Sequence, residues 1–463
     1  MASLLLVGDP VRSLDEYRAR GGGRAFEAAV AVEPEAVVSL ITDSGLRGRG
    51  GAGFPTGRKW AGIRAAGPGT RYAVCNAAEG EPGTFKDRAL IRHDPYRVLE
   101  GLAISGYAVG AQAAYIATKA SYTQEAELLA RAIEETMAAG FFADLRILLV
   151  LGPDEYLFGE EKALLEVIEG NDPLPRLLPP YEHGLFATDV QTGWQAVDAP
   201  GDVGQPGRRG QPNPTLVNNA ETLAHVPGIV LNGADWFRQH GTPESPGTTI
   251  ATVVGDVQRP FVAEVELGTP FQALIDRAGG PHPGRTLVAA FSGVANAVLP
   301  ASRFDAPVSY EGMEAAGAGL GSAGFIVYDD SACIVEVART LSRFLYVESC
   351  GQCRSCKYGT GEITRRLDRL MEGTATETDV EVIHARLLTV TDQTRCYLAA
   401  EEQVMVSSVL REFPEEFALH LAGRCSVPER RIDVPKLVEV ADGVATYDLR
   451  QRLKQPDWTY ADE

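Results

Sequence analysis

"AVCNAAEGEPGTFKDR", Ala73 to Arg88, decides how the chain is read. It starts as an apolar strand and breaks after Asn76 into a polar turn carrying Gly80, Pro82 and Gly83. A strand that ends on an amide in this way suits the ligand-facing edge of an open α/β sheet. Taken alone, Glu79 and Glu81 in the same turn read as a solvated acidic pair. Working outward, the apolar runs "RYAVCNAA", "AAYIATKA" and "LRILLVLG" alternate with helix-like stretches such as Thr123 to Met137. That alternation predicts a layered βα domain over residues 1–237.

Upstream of the strand lies "GLRGRGGAGFPTGRKW", Gly45 to Trp60, with six glycines, four basic residues and no acid. Glycines let a ligand approach the backbone closely, and successive N–H groups in such a loop form an anion-binding concavity. Arg47, Arg49, Arg58 and Lys59 add positive charge, so the stretch reads as a phosphate cradle. The alternative is a glycine-rich surface loop with incidental charge. The G-x-G-x-x-G spacing of Gly48 to Gly53 is weak alone, and a Walker pattern is excluded because Trp60 follows Lys59. Two further stretches carry candidate ligand groups. In "EYLFGEEKALLEVIEG", Gly159 precedes a helix whose first turn holds Glu160 and Glu161, read either as helix capping or as hydroxyl recognition. In "NPTLVNNAETL", Asn218 and Asn219 are either a turn or a pair of amides reading ring edges.

The texture then changes. Residues 238–330 are β-rich, with "TTIATVVGDV", "PFVAEVELG", "RTLVAAFSGV" and "AGFIVYDD" around one helix-like piece, "TPFQALIDRAGG". Residues 331–440 carry helical periodicity, as in "ACIVEVARTLSRFLYVES" and "LAAEEQVMVSSVLREF", and predict a helical bundle. Residues 185–213 form a long Gly/Pro-rich loop, and residues 441–463 a polar tail that is either disordered or a docking strand for a neighbour.

Composition limits the function classes. The 463 residues carry a net charge of −19, which argues against non-specific nucleic-acid binding. No apolar run reaches the length of a membrane helix, so direct membrane insertion is not expected. The opening "MASLLLVGDP" lacks the basic flank and apolar length of a signal peptide, which makes the cytoplasm the expected compartment.

Seven cysteines do not form a disulfide framework in a chain this long. In "ESCGQCRSCKYGTGE", Cys350, Cys353 and Cys356 make a C-x2-C-x2-C run, and 39 residues intervene before Cys396. Three close thiolates and one distant thiolate suit the corners of a [4Fe–4S] cubane. Zinc, which favours two C-x2–4-C pairs, and free structural cysteines are the alternatives. Cys75, Cys333 and Cys425 lie elsewhere and read as buried thiols.

Together, Gly45–Trp60, Cys75–Arg88, Gly159–Leu165, Thr215–Leu223 and the four cysteines resemble the flavin subunit of NADH:quinone oxidoreductase (respiratory complex I). The related unit of soluble NAD-linked formate dehydrogenases and hydrogenases has the same motifs, and the resemblance spans roughly residues 35–440 in order. It implies an α/β multidomain protein: a Rossmann-like FMN domain, a small β-grasp-like (ubiquitin-like) domain and a C-terminal helical bundle with an iron–sulfur cluster. By resemblance, Gly48, Gly50, Gly51, Gly53 and Lys59 cradle FMN, and Asn76, Tyr156, Gly159, Asn218 and Asn219 contact the flavin. Phe54, Glu160 and Glu161 fall on the NADH side, and Cys350, Cys353, Cys356 and Cys396 are cluster ligands. The implied activity is hydride exchange between NAD(H) and FMN, with single electrons passed to the cluster. No protein acid or base is required, because the cofactor carries the chemistry.

Three departures stand out. Ala78 occupies a position where the family has aspartate, Ala61 and Gly62 replace an expected aromatic, and the loop 185–213 replaces a short lysine-bearing link. Arg208 and Arg209 in that loop either restore charge near the dinucleotide or form a solvated basic patch. A second reading therefore stays open: a relay or scaffold subunit that keeps FMN or the cluster but receives electrons from a protein partner. A nucleotide-binding module with structural zinc is a third. The chain has no second cysteine cluster, so the expected partners are further iron–sulfur subunits of a redox complex, including one with a [2Fe–2S] domain. A place peripheral to a membrane complex is compatible with this.

Overall fold

The computed structural model describes residues 3–67, 69–142, 145–187, 211–427 and 430–462. Its first sheet has four parallel strands: β1 (Arg71–Asn76), β2 (Ala111–Lys119), β3 (Arg146–Gly152) and β4 (Thr215–Asn219). Their order in the sheet is β3-β2-β1-β4. The chain leaves β1 toward β2 and then β3 on one side, whereas β4 adds on the other, so the order reverses between β1 and β4. At such a switch point the loops beyond the carboxyl ends diverge and leave a crevice. Asn76 and Asn219, the last residues of β1 and β4, are in register there.

The helix Pro95–Val109 crosses from β1 to β2 with almost every residue buried, and packs on the helix Ala220–Asn232 that follows β4. Leu99, Leu102, Ile104, Leu223 and Ile229 anchor this core, which is shared with the N-terminal helices through Val37, Ile41 and Trp60. Continuous apolar burial of this kind is what a sheet covered on its faces demands.

A second, mixed sheet follows, in the order β6-β5-β9-β7-β8. Its strands are β5 (Thr248–Gly255), β6 (Phe261–Glu266), β7 (Leu287–Ser292), β8 (Leu299–Pro300) and β9 (Gly324–Asp329). β5 and β9 pair in parallel, and the remaining pairs are antiparallel. The helix Phe271–Arg277 packs here through Phe271, which meets the rings of Phe304 and Phe325. Five helices come next: Ile334–Glu348, Arg354–Met371, Glu377–Leu387, Leu398–Glu412 and Pro414–Leu421. Their faces close around Leu341, Ile363, Leu367, Met405 and Val409.

One expectation from the sequence needs revision, and another falls mostly outside the described residues. The polar residues after 440 are ordered onto their own chain. β10 (Leu437–Ala441) and β11 (Val444–Tyr447) form a hairpin, and Arg88 donates to the carbonyl of Leu437 at 2.8 Å. Lys454 is buried against Glu348, and Trp458 donates its indole N–H to the Val347 carbonyl at 3.0 Å. Val440, Ala445, Tyr447 and Trp458 also pack against the bundle core, but the apolar residues are too sparse in the segment to show a period. Of the loop 185–213, residues 188–210, with Arg208 and Arg209, lie outside the described residues. Its two ends are held together by Gly184 N–H to the Pro212 carbonyl (2.8 Å) and by Asn213 to the Phe186 carbonyl (3.0 Å).

Candidate functional site

The glycine loop lies over the crevice between β1 and β4. It is a tight hairpin: Gly48 N–H donates to the Phe54 carbonyl and Thr56 N–H to that of Leu46, both at 2.9 Å. The helix Thr56–Ala65 starts directly after it. Gly51 has φ +129° and Gly53 φ +62°, values that favour glycine. A Cβ on Gly53 would collide with the Tyr310 ring, and one on Gly50 would sit 3.2 Å from Cβ of Asn219. The N–H groups of Gly50, Gly51, Ala52 and Gly53 have no partner among the described residues. Four successive free donors on a loop without side-chain bulk fit a phosphate.

The basic residues of the loop do different jobs. Arg49 is buried, its guanidinium donating to the carbonyls of Thr248, Arg47 and Pro246, so it pins the loop to the second sheet instead of facing a ligand. Arg47 donates to the Gly53 carbonyl and lies over Tyr310, 4.1 Å from its ring centroid. Lys59 pairs with Glu161 at 2.7 Å, with both side chains part-exposed. Phe54 is 48% exposed, with Arg58 over its ring at 5.8 Å.

Below the loop, the Asn76 amide donates to the Gly159 carbonyl at 2.7 Å. Asn219 caps the helix Ala220–Asn232 by accepting from Glu221 N–H, and its amide donates to Asp87 at 2.7 Å. Asn218 points into the core and accepts from the Trp60 indole at 2.8 Å. Glu160 caps the helix Glu161–Ile168 through the N–H groups of Lys162 and Ala163. Burial, then the neighbouring Glu161 charge, pushes its carboxyl up to about 7.

Glu79 and Glu81 are not a solvated turn. Glu79 is buried and pairs with Arg88 at 2.8 Å. Glu81 accepts from the N–H groups of Val294 (2.6 Å) and Ala295 (3.3 Å) and from the Tyr156 phenol at 2.6 Å. Glu79 turns inward to Arg88 and the Asp87 N–H of its own stretch, whereas Glu81 turns inward because the second sheet brings the donors of Val294 and Ala295 to it, which a local reading does not contain.

Sequence reasoning also passed over Tyr310, whose phenol donates to the Gly48 carbonyl at 2.6 Å, and Thr222, whose hydroxyl accepts from Arg49 N–H. It passed over Lys86 as well, buried among Asp87, Asn219 and Glu221 at 2.7, 2.9 and 3.2 Å. Burial works against the Lys86 charge, but Asp87, Glu221 and Glu79 outweigh it and hold its pKa above the ordinary value. The Lys-Asp pair at the start of a helix just past a strand is the signal that was available.

The second locus is built at helix ends. Cys350 follows the helix Ile334–Glu348, Cys353 caps and Cys356 lies in the first turn of Arg354–Met371, and Cys396 precedes Leu398–Glu412. All four line one cavity with Leu157, Ser349, Thr391, Asp392 and Arg395. None forms a disulfide. Burial pushes the Cys356 thiol up to about 12 and raises Cys353 and Cys396 too, and Cys350 adds to the rise in all three. Four crowded sulfur donors around one small cavity fit a thiolate-ligated cationic centre.

A glycine loop built for phosphate above an α/β crevice, and a four-thiol cavity beside it, define a flavin and iron–sulfur electron-transfer protein. The chain matches the family model of the Nuo51 FMN-binding domain over residues 41–228 and that of the NADH-ubiquinone oxidoreductase-F iron–sulfur binding region over 336–420, with an SLBB domain at 250–290. It is 36% identical over 424 residues to the second form of the NADH-quinone oxidoreductase F-subunit of Rhizobium meliloti (strain 1021), covering 89% of this chain and 95% of that one. With the NADH-quinone oxidoreductase F-subunit of Aquifex aeolicus (strain VF5) the identity is 36% over 427 residues, covering 90% and 93%. The chain belongs to the NADH-quinone oxidoreductase F-subunit family. Among solved structures it resembles an NAD+-reducing [NiFe]-hydrogenase in the H2-reduced state, with TM-score 0.74 and 32% identity. The match covers 86% of this chain but 64% of that one.

Proposed function

We propose that this chain is the NADH-dehydrogenase flavoprotein subunit of a multi-subunit redox complex. FMN would supply hydride exchange with NAD(H), and a [4Fe–4S] cluster one-electron transfer. The free backbone N–H groups of Gly50, Gly51 and Gly53 would hold the FMN phosphate with Lys59, Gly48 closing the loop through its bonds to Phe54 and Tyr310, while Asn76, Gly159 and Asn219 would fix the flavin over the β1/β4 crevice. Asn218 holds Trp60 beneath it, and Tyr156 braces the seam toward the cluster. Phe54, Glu160 and Glu161 form the NADH side. Cys350, Cys353, Cys356 and Cys396 ligate the cluster. The domain reading that goes with this is Rossmann-like for 1–237, β-grasp-like for 238–330, the cluster bundle for 331–440 and a docked segment for 441–463. Neighbouring iron–sulfur subunits, one with a [2Fe–2S] domain, take the electrons onward.

One observation carries the reading. The single turn Tyr156–Gly159 touches both loci, since Gly159 accepts from Asn76 at the crevice and Leu157 lines the cysteine cavity. The two centres therefore lie within a few residues of each other, as electron transfer between them requires. The experiment is anaerobic: purify the protein with its cofactors, record the visible spectrum and add stoichiometric NADH. Bleaching of the flavin on mixing supports the proposal. Reduction by dithionite but by neither NADH nor NADPH would install the relay reading in its place.

A further inference from the structure

Cys333, His420 and Cys425 come together at a point the flavin and cluster sites do not use. Cys333 caps the helix Ile334–Glu348 at the end opposite Cys350. Fifteen residues of helix separate the two, roughly 22 Å of rise. His420 is in the last turn of the helix Pro414–Leu421, and Cys425 lies just beyond that helix. One ligand atom from each of the three lies within 4.8 Å of the others. Neither sulfur is in a disulfide. Cys333 and His420 are buried, at 6% and 4% exposure, whereas Cys425 is exposed, contrary to the buried thiol expected from its sequence.

The orientation of the imidazole is the informative feature. Its Nδ1 faces the Leu370 carbonyl at 3.3 Å, and its Nε2 lies 3.2 Å from Sγ of Cys333. A carbonyl can only accept, so Nδ1 carries the proton and Nε2 presents its lone pair to the Cys333 sulfur. A histidine held through its far nitrogen in this way is the arrangement found behind metal-ligating imidazoles. The N–H groups of Val335 and Glu336 reach the Cys333 sulfur, but burial and then the neighbouring Cys425 outweigh them and push the free thiol up.

We propose that Cys333, His420 and Cys425 bind one zinc ion, separate from the iron–sulfur centre. Two thiolates and a neutral imidazole are a donor set suited to tetrahedral Zn²⁺, with water in the fourth position. On binding, both thiols lose a proton to solvent and no electron moves, so the site needs no oxidant or reductant. Its role is to clip the last helix of the bundle to the first. The clip also fixes the start of the segment leading to Arg430, which pairs with Asp256 of the second sheet at 2.7 Å.

The test uses the full chain with its cofactors loaded, prepared anaerobically, and measures zinc and iron per chain together. The variants are Cys425→Ser, at an exposed position, and His420→Gln. The expected result is one zinc per wild-type chain and loss of most of it in Cys425→Ser, with iron and flavin contents unchanged. Cobalt alone, added to metal-stripped protein, is expected to give thiolate charge-transfer absorption in the wild type and little in either variant. Equal zinc in wild type and Cys425→Ser would overturn the proposal, leaving adventitious binding. So would a Cys333–Cys425 disulfide found by mass spectrometry in the anaerobic protein.

Discussion

The phenol of Tyr156 lies 3.1 Å from Oε2 of Glu401, five residues beyond the cavity-lining Cys396. The same phenol donates to Glu81 at the other side of the seam, so one hydroxyl stands between two carboxyls. Burial, then the charge of Glu81, pushes Glu401 up to about 8 from an ordinary 4.5, and burial raises Glu81 as well. The folded protein thus keeps a proton that the unfolded chain releases. Stability from this group is complete below about pH 4.5 and is lost as pH rises to about 8. Glu401→Gln removes the dependence: its unfolding temperature should exceed that of the wild type by a margin growing between pH 5 and pH 8. Parallel curves would refute this.

Lys454 and Glu348 are both fully buried and lie 2.9 Å apart. Burial opposes the Glu348 charge, but Lys454 and then Lys436 hold its carboxyl below the ordinary range. Lys454→Met leaves that charge without its partner and should cost about 3–5 kcal/mol, as broken buried pairs do. Denaturant unfolding followed by helical circular dichroism measures it. A loss under about 1 kcal/mol would mean that Gln451 and the Tyr156 N–H, which also bond Glu348, suffice.

Gly53→Ala places a methyl group in the Tyr310 ring at a backbone angle that suits glycine. The hairpin must shift, and FMN affinity should fall at least about tenfold, since one lost charged hydrogen bond is worth that much. Flavin fluorescence titration of the apoprotein reads it out. Gly62→Ala is the control: a Cβ there meets open space on a helix, so binding should be unchanged.

The Lys59–Glu161 pair is part-exposed, and exposed pairs add little stability. Glu161→Gln should therefore leave the unfolding temperature unchanged while raising KM for NADH. Lys59→Ala should weaken FMN binding instead. Identical effects of the two substitutions on flavin content would show that neither has a separate ligand.

Cys396→Ser should lower the iron content, because one corner of the cubane then lacks its thiolate. Flavin content should persist, since the crevice is built on β1 and β4. Iron analysis with visible spectroscopy separates the two. Retention of full iron would remove Cys396 from the ligand set.

The sequence by itself determined the elements and the chemistry that depends on spacing. β1 ends at Asn76, the glycine loop runs into a helix, and Cys350, Cys353 and Cys356 line one cavity together, because period and short spacing are local properties, while the packing of the bundle brings Cys396 to them. The tertiary structure alone decided where polar groups point. Arg49 turned from the ligand to the carbonyls of Thr248 and Pro246, and Glu81 turned inward to Val294, because their partners lie about two hundred residues away. The polar C-terminal segment became ordered through Lys454 for the same reason. A buried charge is tolerated only where a partner is delivered to it, and delivery across domains leaves no local trace in sequence. His420 and Cys333 are likewise 87 residues apart, in no motif, and only folding sets them side by side.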